Sequence, residues 1–134
     1  MVMRAHAVAK VTVQRSESSA YDQTAPALME IRMSETFSGN LEGESTVRSL
    51  QMVHDDRSAA FVSMQRFRGR IGERDGTFVL QGRGTVENGT VKATWFVVPG
   101  SGTGGLSALR GEGGFEGAFG KGSDATLDYW FDEP

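Results

Sequence analysis

Apolar and polar residues alternate with a period of two along most of this chain, and the 3.6-residue period of an amphipathic helix is almost absent. From Ala5 to Gln14 the odd positions carry Ala, Ala, Ala, Val and Val, while the even ones include His6, Lys10 and Thr12. Between Leu28 and Phe37, Met29, Ile31, Met33 and Phe37 share one face against Glu30, Arg32 and Ser34. Successive side chains of a strand point to opposite faces, so each run predicts a strand with one apolar side. Further runs at 41–54, 58–71, 76–86, 90–98, 111–119 and 125–132 bring the count to eight.

Turn chemistry separates the runs. Asn88-Gly89 lies between Thr85-Val86 and Thr90-Val91, the pattern of a type I′ hairpin with positive φ at both central residues. Asp75-Gly76 predicts a second hairpin, and Ser38-Gly39-Asn40 and Asp55-Asp56-Arg57 break two more pairs. Short connections make neighbouring strands antiparallel. The stretch from Arg15 to Pro26 is the exception, read as a longer polar connection across one mouth of the structure. Eight strands in an open sheet would leave exposed edges, and closure removes them. The predicted fold is therefore all-β, a closed antiparallel barrel of about eight strands in one domain spanning 1–134.

Composition fits that picture. Of 134 residues, 18 are glycine and 3 are proline, without a collagen period, as many tight turns require. The net charge is −3 and the isoelectric point about 5.4, the opposite of the basic footprint of a nucleic-acid binder. No stretch reaches the roughly 18 apolar residues of a membrane span, and the first residues lack the apolar run of a signal peptide. Cysteine is absent, which removes disulfides, thiol nucleophiles and thiolate metal sites. The expectation is a cytoplasmic protein with no nucleic-acid, membrane, metal or cofactor partner.

Alternation places Met29, Ile31, Met33, Phe61, Phe67 and Phe78 on the inner face, with Leu80, Trp95, Val97, Tyr129 and Phe131. Lys92 and Asp128 fall on the outer one. A barrel of eight strands can be filled by side chains or can hold one small ligand. In phase with the apolar residues are Glu35, Ser49, Gln51, Ser63, Gln65 and Tyr129. Polar groups in a core must be hydrogen-bonded, so this set points either to water or ligand inside, or to strand ends that reach solvent.

Two motifs read as structure. Gly100-Ser-Gly102-Thr-Gly-Gly105 matches GxGxxG, but a dinucleotide site also needs a following helix and a parallel βαβ unit. Here Leu106 to Leu109 leave room for one turn before Gly111, as in a glycine-built barrel loop. His54-Asp55-Asp56 is the one histidine–carboxylate cluster; such residues can supply a general base or metal ligands, but they sit where a polar turn is expected.

Several segments are similar to a known family. Residues 36–46 (TFSGNLEGEST), 66–69 (RFRG), 76–81 (GTFVLQ) and 89–95 (GTVKATW) resemble the bacterial family catalogued as domain of unknown function 3224. Residues 98–113 and the closing Leu127-Asp-Tyr129 continue the match. The turn from Gly102 to Gly111 also resembles that of allene oxide cyclases and dirigent proteins. That likeness implies an allene-oxide-cyclase-like eight-stranded barrel with a ligand cavity, assembled as a homo-oligomer. Leu106 and Leu109 would plug one end, and Gly111 would start the next strand. Gln65 stands where the family pattern carries a glutamate; an amide cannot exchange protons at neutral pH.

These readings converge on a barrel that binds a small apolar or amphipathic molecule, with a cofactor-free isomerase or cyclase of polyketide- or terpenoid-type metabolism as its activity. Catalysis would come mainly from holding a flexible substrate in a reactive conformer. Gln51 and Gln65 would orient polar atoms, Tyr129 would donate a hydrogen bond, and Trp95 with Phe61 and Phe78 would shape the cavity. Met33, Ser49, Ser63, Phe67 and Leu80 complete the expected ligand-binding set. Glu35, Gln65 and Tyr129 are the candidate catalytic residues, with Glu35 and Tyr129 the substitutes for the family glutamate in proton chemistry. The alternative is a carrier of small hydrophobic molecules, or an interaction module, with no turnover.

Overall fold

The alternating runs become strands that pair in chain order in a computed structural model, which describes residues 3–55, 57–118 and 121–132. They are β1 (Ala5–Asp22), β2 (Ala27–Gly39), β3 (Leu41–Asp55), β4 (Ser58–Ile71), β5 (Arg74–Glu87) and β6 (Thr90–Val97), then β7 (Thr103–Gly104), β8 (Leu109–Ala118) and β9 (Gly122–Phe131). Every pairing is antiparallel. The eight long strands follow one another around the wall, and β9 returns to β1 with Ala5 opposite Tyr129 and Val11 opposite Ser123. The sheet closes on itself. His6 pairs with Asp128 and Lys10 with Asp124 on the outside of that seam.

Closure gives each strand a dry face and a wet one, and the expected inner positions hold. Phe67 and Phe78 are fully buried, Leu80, Trp95 and Val97 nearly so, and Lys92 and Asp128 are exposed. The core lies toward the end that carries the β2–β3, β4–β5 and β6–β8 connections. There Phe37, Phe67 and Phe78 pack edge-to-face or tilted, with centroids 5.2 and 4.9 Å apart, among Leu41, Ile71 and Leu127. Leu106 and Leu109 are buried there too, so the glycine-rich loop does plug this end. Its Thr103-Gly104 pair adds the short β7 to β5, beside Thr77 and Gly76.

Four boundaries depart from the expectation. The segment from Arg15 is not a connection over the mouth: β1 continues to Asp22 and stays paired with β2, past a register shift between Val13 and Arg15. Residues 16–22 are exposed on both faces because this hairpin runs past the rim, so no alternation marked it. Asp75-Gly76 is not a hairpin turn either. The chain turns at Gly72-Glu73, and Gly76 lies inside β5, where a Cβ would stand 2.0 Å from the Thr103 carbonyl oxygen. The last two strands begin earlier than read, at Leu109 and Gly122. By contrast Asn88 and Gly89 have φ of 53° and 78°, the expected double left-handed turn. No helix among the described residues is long and apolar enough to cross a membrane.

Candidate functional site

Aromatic packing fills only part of the barrel. Toward the end with the β3–β4, β5–β6 and β8–β9 turns, the inner side chains shorten to Val, Ser and Ala and leave a cavity of about 130 Å³. Its walls are Val11 and Val13 from β1, Ile31 and Met33 from β2, Val47 from β3 and Val86 from β5. Phe61, Trp95 and Phe115 form a continuous aromatic side, with centroids 6.4 Å apart for Phe61–Phe115 and 5.0 Å for Trp95–Phe115. The Trp95 indole N–H donates to the Thr126 carbonyl at 3.0 Å, across the glycine at position 113, which fixes the ring in the wall.

The polar residues cluster on β2, β3 and β4 because the register sets them side by side: Glu35 opposite Ser45, and Ser49 opposite Ser63. The Ser45 hydroxyl donates within reach of two acceptors, Gln65 Oε1 at 2.9 Å and, more weakly, Glu35 Oε1 at 3.5 Å. Burial pushes the Glu35 carboxyl up from 4.5 to about 7, and the hydrogen bond with Ser45 opposes that only in part. The Ser49 hydroxyl is buried with no hydrogen-bond partner among the described residues. A buried polar atom without a partner costs roughly 1–3 kcal/mol, so its orientation into a cavity calls for a water or ligand atom there.

The residues predicted for the site divide cleanly. Met33, Ser49, Gln51, Phe61, Ser63, Gln65 and Trp95 line the cavity, and Glu35 lines it with them. Phe67, Phe78 and Leu80 do not: they are in the packed cluster at the closed end. Tyr129 is at that end as well, edge-on to Phe131, and is not part of the cavity. Alternation reports the face of a strand but not the height along the barrel, which is why these four were misplaced. For the same reason Ser45 went unnoticed, as did Val13, Val47 and Phe115, which alternate as the others do.

The remaining motif, His54-Asp55-Asp56, serves a turn. Asp55 accepts hydrogen bonds from the Arg57 backbone N–H at 2.8 Å and the Ser58 hydroxyl at 3.2 Å, the first of which holds its carboxyl below the usual range. Asp56, the third member of that cluster, lies outside the described residues. Among the described residues no three histidine, aspartate or glutamate side chains converge as a metal ion would require.

Comparison with known proteins gives a family and a fold. The family described as "Protein of unknown function (DUF3224)" matches residues 5–131. The chain is similar to the crystal structure of a protein of unknown function from that family in Shewanella oneidensis MR-1. The TM-score is 0.73 at 24% sequence identity, over 99% of this chain and 100% of the other. No curated protein matches.

Proposed function

Since the chain belongs to the DUF3224 family, whose description carries no activity, we propose its function from the cavity: it binds a small amphipathic molecule in the open half of its barrel. The apolar part of the ligand lies against Val13, Met33, Val47 and the Phe61–Phe115 side, and its polar end reaches the Glu35–Ser45–Gln65 group. The observation that carries this reading is the buried Ser49 hydroxyl, without a hydrogen-bond partner among the described residues, in a void whose wall joins an apolar side to a polar one. A void of about 130 Å³ is close to the roughly 150 Å³ that admits benzene in an engineered protein core, so the ligand, or the part of it held inside, is small.

One observation favours a second reading, that of a cofactor-free isomerase or cyclase. A carboxyl that titrates near 7 can both take and give a proton at neutral pH, which suits a general acid–base better than an ordinary glutamate does. Glu35 would supply the proton chemistry that Gln65 cannot. The likeness of the Gly102–Gly111 turn to allene oxide cyclases supports the same reading.

Binding is tested with the intrinsic fluorescence of a Trp130→Phe variant, which leaves Trp95 in the cavity wall as the reporter. Small alcohols, ketones, amines and acids with aliphatic or aromatic tails should include members that change the signal saturably. Ser49→Leu, which fills the void and removes its free hydroxyl, should abolish that response. A response unchanged in Ser49→Leu, or none from any class, would contradict the proposal.

A further inference from the structure

Resting on that reading of the cavity, we infer that the ligand is a small protonated amine, held by ion pairing with Glu35 and by the faces of Phe61, Trp95 and Phe115. Glu35 is the one charged residue lining the cavity among the described residues. From β1 it is faced by Val13, from β3 by Ser45 and, through that serine, from β4 by Gln65. None of these titrates. The arginines of the same strands, Arg15, Arg32, Arg48 and Arg66, project from the outer wall into solvent. Among the described residues an ionised Glu35 therefore has no countercharge inside the barrel. Buried charges are stable when paired, and the partner that this lining lacks is a cation.

The rest of the lining fits an ammonium group. Aromatic rings attract cations to their faces, most strongly where water is excluded, and three of them form one side of this cavity. The hydroxyls of Ser49 and Ser63 offer lone pairs to the N–H donors that the carboxylate does not take. A ligand carboxylate would instead face Glu35 as a like charge. A neutral ligand would leave Glu35 unpaired. The size of the void limits the ligand to an amine with a short alkyl or single-ring tail.

Proton linkage supplies the signature. An ammonium ion pairs with the ionised form of Glu35, whose carboxyl titrates near 7 in the empty barrel. The ionised fraction then rises from about a tenth at pH 6 to about nine tenths at pH 8. Apparent affinity follows that fraction, so binding should tighten about tenfold over those two units. A simple alkylamine, like a lysine side chain, stays protonated throughout.

The test uses three probes of one shape, n-butylammonium, 1-butanol and butyrate, titrated at pH 6 and pH 8 into the wild-type chain and into Glu35→Gln. Binding is followed by calorimetry at constant ionic strength, with Ser49→Leu as the filled-cavity control. Butylammonium should bind most tightly and gain about tenfold from pH 6 to pH 8, while butanol should show no such change. Glu35→Gln should lose at least tenfold for butylammonium and keep butanol. Butanol or butyrate binding as tightly as butylammonium at pH 8 would overturn the inference and leave the small-molecule cavity standing. So would a butylammonium affinity indifferent to Glu35→Gln. Failure of all three probes to bind, or binding retained in Ser49→Leu, would overturn both.

Discussion

In an unfolded chain the Glu35 carboxyl titrates near 4.5, and inside the barrel it titrates near 7 because burial disfavours the charged form. Between those values the unfolded chain has released a proton that the folded one still holds. Folding stability therefore falls as pH rises from 4.5 to 7 and levels off above, by about 3 kcal/mol from this group alone. Glu35→Gln mimics the protonated form and should remove that slope. Melting curves of the two proteins should agree near pH 4 and separate by pH 8, with the variant the more stable. Equal pH responses would mean that the carboxyl is solvated. The inward direction of Glu35 was legible from its alternation with Met33 and Phe37, but its weight was not. Nothing in the sequence says that Ser45 lies across from it, or that no cation shares its side of the wall, because both depend on register between strands. Tyr129 shows the converse: its inward phase was read correctly, yet it belongs to the wrong end of the barrel for the site.

At the scale of the strand, alternation carries most of the information because one face is dry and the other wet. In β6, Trp95 is 5% exposed and packs tilted against Phe115 while its neighbour Thr94 faces solvent. Trp95→Ala should cost about 3–5 kcal/mol, the usual range for a large buried aromatic, and Thr94→Ala little. Chemical denaturation of both variants checks this, and similar losses would place the strand in the wrong phase. Where both faces are wet the signal vanishes. Arg15–Asp22 pairs with β2, is polar up to Ala20 and exposed throughout, and so reads as a connection although it is strand. Turn signals failed for a different reason. Asn88-Gly89 turns the chain as its chemistry demands, whereas Gly76 exists for the close approach of the β7 backbone, a contact between segments far apart in sequence.

Over the whole molecule the barrel divides into a packed end and an open one. Leu106 and Leu109 stop the first beneath the Phe37–Phe67–Phe78 cluster. Shorter side chains leave the second free, with its polar groups on β2, β3 and β4. Closure was legible in the count of strands and the shortness of their connections. The division was not, because height along the barrel depends on how the strands stagger. That division is what the functional account rests on. Its most direct test is a methyl NMR titration of the wild-type chain with n-butylammonium at pH 8. Saturable shifts should be confined to the cavity wall, Val11, Val13, Ile31, Met33, Val47, Val86 and Val91 among them, with Leu41, Leu106, Leu109 and Leu127 unmoved. Shifts centred on those leucines, or none that saturate anywhere, would contradict a ligand cavity in the open half.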